Sequence, residues 1–401
     1  MIGRAGPHAG WLSEADCSLP DLLAIERDGT DPGQYPHATA VVDGVLLYER
    51  SGIVSAMADP AGRRALQSEL ASALSEGPGI VVFPAAFDDL EVVDAVTDAF
   101  NTIIDDQRRS GGPAGDHFGE PGANDRIWNA LEKLAVRAPD LFVRYYANDV
   151  IALICQAWLG PGYQITSQVN VVNPGGAAQA VHRDYHLGFQ SNEAAEQFPS
   201  HVHALSPVLT LQGAVAHTDM PVESGPTLYL PHSQKYLPGY LAWRLPEFRA
   251  HFAEAYVQLP LAKGDAVFFN PALFHAAGTN RTRDVRRMAN LLQVSSAFGR
   301  AMETVDRAAV SAAIYDDLTK AQVTEGWDRR EIDNVVAASA EGYAFPTNLD
   351  RDQPIDGLAP PTQADLVHQA LAEGWDHAML VARLAEHVER TRSAPAVQTD
   401  S

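Results

Sequence analysis

The stretch His182-Arg183-Asp184 sets two candidate metal ligands two residues apart, and this spacing constrains the backbone that can carry it. On an extended segment, residues i and i+2 point to the same side, so His182 and Asp184 face together while Arg183 faces away. Asn173-Pro174-Gly175-Gly176 just upstream reads as a turn leading into strand. Farther along, Lys263-Gly264-Asp265 reads as a turn and Ala266-Val267-Phe268-Phe269-Asn270 as a buried strand, with His275 just past the strand end. The pattern predicts a β framework that gathers His182, Asp184 and His275 from distant parts of the chain.

Two imidazoles and one carboxylate on one face of a metal leave coordination positions open for a chelating substrate and O2, which is the donor set of non-haem Fe(II) oxygenases. His182 and His186 also match the H-x-x-x-H spacing of a zinc pair, but Arg183 stands where a metalloprotease needs its glutamate. After His275, the residues Gly278 and Asn280 and the basic run Arg281, Arg283, Arg286 and Arg287 lead into Met288-Ala289-Asn290-Leu291-Leu292-Gln293-Val294, a second expected strand. A guanidinium there can hold a carboxylate by a two-pronged charge-assisted bond.

Taken in order, these stretches resemble the phytanoyl-CoA dioxygenase family of Fe(II)/2-oxoglutarate oxygenases. Gly79-Ile80-Val81-Val82-Phe83-Pro84 and Glu223-Ser224-Gly225-Pro226-Thr227-Leu228-Tyr229-Leu230-Pro231-His232-Ser233 extend the likeness to roughly residues 75–300. The resemblance implies a mainly β chain with flanking helices, built on a double-stranded β-helix (a cupin-like jelly roll), plus a C-terminal helical extension. It implies His182, Asp184 and His275 as ligands of Fe(II), with 2-oxoglutarate and O2 as co-substrates. It selects Arg286 for the distal carboxylate of 2-oxoglutarate, with Arg287 as the register alternative, since strand alternation lets one of the two face inward. Gln168 and Gln212, on the expected strands 165–173 and 208–216, are candidates to hydrogen-bond 2-oxoglutarate. Asp184 argues against halogenation, because halogenating relatives give that position to halide. Where relatives often carry Pro-Gly-Ser-His this chain has Pro231-His232-Ser233-Gln234, and Ala276-Ala277 replaces the small hydroxyl residue that commonly follows the second histidine. The reaction implied is hydroxylation of an aliphatic carbon of a small molecule or secondary metabolite. The pocket motifs carry no basic stripe for a CoA phosphate, so the family's name does not supply the substrate. Two rivals stand beside this reading: a cupin-like metal enzyme that does not use 2-oxoglutarate, and a non-catalytic binding protein on the same fold.

The 401 residues, 46% of them hydrophobic, suffice for a large core. They divide by pattern into an irregular arm (1–52) containing a hairpin candidate at 40–47, a catalytic domain (53–300) and a helical extension (301–401) with a disordered tail. A net charge of -22 opposes non-specific binding to nucleic acid or anionic membrane. No secretory leader or membrane-length apolar run is seen, and the two cysteines, Cys17 and Cys155, make no disulfide framework, so a cytoplasmic location is expected. In the extension, Asp317-Leu318 with Glu325-Gly326-Trp327-Asp328 recurs as Asp365-Leu366 with Glu373-Gly374-Trp375-Asp376. This predicts two similar helix-turn-helix units whose tryptophans anchor on the barrel or on a second subunit, and it makes the extension a candidate homodimer surface. Residues 192–200 and 238–254 interrupt the strands as insertions, with Tyr240, Trp243 and Phe248 expected mainly to pack the second one. His186 and His217 are open between pocket lining and structural roles.

Overall fold

The computed structural model describes residues 10–110, 123–355 and 357–393. The loop expected at 111–122 and most of the tail expected to be disordered lie outside these residues. The strands are β1 (Ala40–Val42), β2 (Val45–Leu47), β3 (Ile80–Phe83), β4 (Asn124–Ile127), β5 (Gln164–Val172), β6 (Thr210–Ala216), β7 (Leu228–Leu230), β8 (Val257–Gln258), β9 (Ala266–Phe269), β10 (Phe274–Ala276) and β11 (Arg287–Ser295). They form an eight-stranded sheet in the order β1-β2-β3-β9-β6-β11-β5-β4 and a three-stranded sheet in the order β10-β7-β8.

Alternation along the large sheet splits its two faces. Val169 and Val171 of β5, Leu211 and Val215 of β6, and Leu292 and Val294 of β11 point outward into one core shared with helices. Gln168, Gln212, Val267, Phe269, Arg287 and Gln293 point the other way and line a cavity. Each large aliphatic side chain buried on the helix side contributes about 1.5–3 kcal/mol, so that face cannot be left to water. Helices cover it. Leu90–Arg109 presents Val93, Val96, Phe100, Ile103 and Ile104 at helical spacing, accepts its first amide on the Asp89 side chain and ends on Arg108 and Arg109.

Covering that face takes so much helix that the expectation of a mainly β chain is corrected, because 48% of the chain is helical. The jelly roll fits the paired sheets, but it is a mixed structure. The amino-terminal arm is also more regular than its Gly, Pro and Asp content suggests. It holds the helix Leu19–Glu26 and the β1–β2 hairpin, whose second strand runs parallel to β3.

In the extension, the duplicated segments form as helix pairs, Arg307–Val323 with Arg329–Ser339 and Gln363–Glu373 with His377–Thr391. Gly326 and Gly374 take φ of 75° and 66°, and the Asp two residues later caps the next helix in each copy. Trp327 and Trp375 are half-buried against the main core, which the extension shares with the sheet. No helix among the described residues is long and apolar enough to cross a membrane.

Candidate active site

His182 and His275 come together through the backbone. They form an isolated antiparallel bridge next to β10, with the His182 amide donating to the His275 carbonyl at 2.9 Å and the reverse bond at 3.1 Å. Asp184 sits two residues beyond His182, so it returns to the same side, and its amide is held by the Pro271 carbonyl at 3.1 Å. One ligand atom from each of the three residues lies within 4.8 Å of the others. The Asp184 carboxylate is 3.6 Å from His182 Nε2 and 3.4 Å from His275 Nε2.

Hydrogen bonds fix which ring nitrogens face the centre. Each Nδ1 donates to the carbonyl two residues back in its own chain, Ala180 for His182 and Leu273 for His275, both at 2.9 Å. A carbonyl only accepts, so Nδ1 carries a hydrogen in each ring, and Nε2 is the nitrogen turned toward Asp184. Burial and the neighbouring His275 push the His182 pKa down, which favours the neutral, ligating form. Burial would raise the Asp184 carboxyl, but the two imidazoles and the Gln212 amide together hold it well below the usual carboxylate range.

The cavity around this cluster has a volume of about 650 Å³. Arg287 lines it and Arg286 does not, which corrects the sequence choice between them. Arg286 turns to the helix side, where it donates to Asn101 at 2.8 Å and pairs with Asp125 at 3.5 Å, with its side chain 38% exposed. Arg287 is buried on the cavity face and makes no hydrogen bond or ion pair among the described residues. Burial pulls its guanidinium down to about 10, so it remains a cation at neutral pH. Arg281 and Arg283 are exposed.

Gln168 and Gln212 both line the cavity, but their NH2 groups are already engaged. Gln212 donates to Asp184, and Gln168 donates to Gln293 at 3.2 Å. His186 bonds the Ser206 hydroxyl at 3.0 Å and does not line the cavity, while His217 lies behind the large sheet between Thr97 and Tyr145. Of the insertion residues, Trp243 reaches the cavity, whereas Tyr240 and Phe248 are packed. Sequence reasoning missed Arg126, Trp128 and Gln293 as cavity residues. β4 is a short polar strand with little hydrophobic signal, and β11 shows its parity only once one face is known to be covered.

Arg183 has a structural task. Its buried guanidinium lies over the rings of Tyr240 and Phe274 and donates to the carbonyls of Ser233 and Tyr236, which ties the insertion to the loop that carries Asp184.

With this geometry in place, the model of the phytanoyl-CoA dioxygenase (PhyH) family matches residues 75–288. The chain belongs to the phytanoyl-CoA dioxygenase family. Members of this family use Fe(II), 2-oxoglutarate and O2. The donor set fits: two imidazoles, one carboxylate and, in the same cavity, a buried cation without a partner among the described residues. The dioxygenase trt7 of Aspergillus terreus (strain NIH 2624 / FGSC A1156) is 34% identical over 180 residues, and the match spans 41% of this chain and 56% of the relative. The chain thus spans little more than half the length of that curated relative.

Among solved structures, the epimerase SnoN of nogalamycin biosynthesis is 22% identical with a TM-score of 0.41, over 60% of this chain and 82% of its own. The carbocyclase SnoK of the same biosynthesis gives 21% and 0.40, over 60% and 86%. HygX from Streptomyces hygroscopicus, solved with nickel, 2-oxoglutarate and hygromycin B, gives 14% and 0.37, over 57% and 87%. At these TM-scores the overlaps are partial, and the family match carries the assignment.

Proposed function

We propose that this phytanoyl-CoA dioxygenase family member hydroxylates an aliphatic C–H of a small molecule or secondary metabolite, with release of succinate and CO2. His182, His275 and Asp184 would hold the iron. Arg287 pairs with the distal carboxylate of 2-oxoglutarate. The iron, when bound, supplies the O2 chemistry that side chains cannot perform. The protein's part is placement and the exclusion of water. Apolar walls from Phe189, Trp243, Leu259, Leu261 and Met302 favour a carbon-rich substrate, and the cavity is in the usual size range for a small-molecule site.

The observation that carries this reading is Arg287, a buried cation with no partner among the described residues, in the same cavity as the three donors. A cupin-like enzyme without 2-oxoglutarate needs no such group, and a buried charge calls for a counter-charge. The test is an anaerobic titration with Fe(II) and then 2-oxoglutarate, following the visible charge-transfer band of the chelate. The band is expected in the wild type and is lost in Arg287→Ala. Its absence from wild-type protein with iron bound would overturn the reading.

A further inference from the structure

Four neighbouring strands of the large sheet each send one polar side chain to the cavity floor: Gln212 from β6, Gln293 from β11, Gln168 from β5 and Arg126 from β4. The three glutamines are at least nine-tenths buried. At one end Arg126 Nη2 donates to Gln168 Oε1, and at the other Gln212 Nε2 donates to Asp184 Oδ2. Between them, Gln168 Nε2 donates to Gln293 Oε1 at 3.2 Å. Gln293 is directly opposite Gln212 across the β6–β11 ladder, and Gln212 Oε1 is buried without a partner. Opposed side chains on adjacent strands start about 4.5–5.5 Å apart at Cβ, within reach of the Gln293 NH2.

The two ends set the direction of every amide. A guanidinium only donates, so it takes the oxygen of Gln168. An ionised carboxylate only accepts, so it takes the nitrogen of Gln212. Each amide between must then point its oxygen toward Arg126 and its nitrogen toward Asp184. The usual ambiguity between amide nitrogen and oxygen is removed by these charged termini.

We infer that Gln168, Gln293 and Gln212 form a polarised amide relay that positions the Asp184 carboxylate, with Gln293 as its bridging member. Gln212 takes Oδ2, the oxygen that faces His275, while Oδ1 faces His182, so the amide fixes the rotation of the carboxylate between the two rings. Aligned hydrogen bonds in a low-dielectric floor reinforce one another. These are positioning residues, and the inference rests on the reading of Asp184 as a metal ligand.

The test is Co(II) binding to the full chain, read by dissociation constant and ligand-field absorption, in wild type, Gln293→Met and Gln293→Glu. Methionine keeps the length but breaks the row, whereas glutamate turns an acceptor toward Gln212 Oε1 and forces that amide to invert against Asp184. Gln293→Glu is expected to weaken Co(II) by about 10- to 100-fold, with Gln293→Met between it and wild type and a changed absorption band in both. Wild-type affinity and spectrum in both variants would overturn the relay. A metal-free arm follows the side-chain amide NMR resonances of Gln212, which must shift in Gln293→Met, and unshifted resonances also overturn it. If wild-type protein took no Co(II), the ligand reading of Asp184 would fall, and the amide arm would still decide whether the row exists. Gln293→Met also covers a failure of the glutamate variant to fold.

Discussion

His182 and His275 are partners in the backbone. Their amides and carbonyls exchange two hydrogen bonds, at 2.9 and 3.1 Å, and their rings lie 4.3 Å apart. Residues opposed in an antiparallel pair project to the same side of the ladder. One bridge outside the regular strands thus aligns both imidazoles, and the i, i+2 spacing brings Asp184 to them.

Because the donors are gathered in advance, metal should stabilise the fold directly. At about 100 times its dissociation constant, Fe(II) or Co(II) should raise unfolding stability by about 2.7 kcal/mol, read as a higher Tm. Asp184→Ala should lose most of this gain and all substrate oxidation. A wild-type Tm indifferent to the metal would contradict the assignment of the triad.

Arg286 and Arg287 should separate cleanly. Arg287→Ala is expected to lose 2-oxoglutarate binding while keeping iron. Arg286→Ala removes a half-exposed pair worth about 0–1 kcal/mol and should bind 2-oxoglutarate as wild type does. Calorimetric titration of both variants decides it, and the reverse pattern would restore Arg286 to the site.

Gly239 leaves room for the Arg183 guanidinium: a Cβ there would lie 2.0 Å from Arg183 Cζ. Gly239→Ala should therefore cost about 1–3 kcal/mol through overpacking and loosen the segment that carries Trp243. Thermal unfolding measures the first effect. A variant as stable as wild type would show that Arg183 does not clamp this turn.

His217 predicts an acid-sensitive window away from the metal site. Thr97 gives its hydroxyl hydrogen to Val93 and accepts from His217 Nδ1 at 2.8 Å, and the Tyr145 hydroxyl meets Nε2 at 3.0 Å, so the neutral ring is satisfied on both sides. Burial pushes its pKa from 6.5 down to about 3, with Asp94 opposing weakly. The unfolded chain binds a proton below 6.5 that the folded chain refuses, so this contribution is complete above 6.5 and is lost as pH falls toward 3. Its slope reaches about 1.4 kcal/mol per pH unit. Denaturant titrations of wild type and His217→Gln isolate it from the carboxylates: the variant should lose stability less steeply between pH 6.5 and 4. Parallel curves would refute the assignment.

The sequence by itself determined which donors the candidate site could draw on. His182 and Asp184 face together because strand periodicity is local, and the turn at Gly264 places His275. The caps at Asp328 and Asp376 and the left-handed Gly326 and Gly374 were equally local, so the duplicated helix pairs could be read directly. Only the tertiary structure decided phase. Alternation says that Arg286 and Arg287 point to opposite faces, but which face is the cavity depends on where the helices pack. Val169, Leu292 and Val294 are drawn to the helix side, and Arg287 and Gln293 fall to the cavity as a result. The amide row was invisible for the same reason, since Gln212, Gln293 and Gln168 meet only through the order β6-β11-β5, which no local pattern specifies. The period is set by the backbone of a single strand, whereas the phase and the neighbours are set by burial of one face against the rest of the chain.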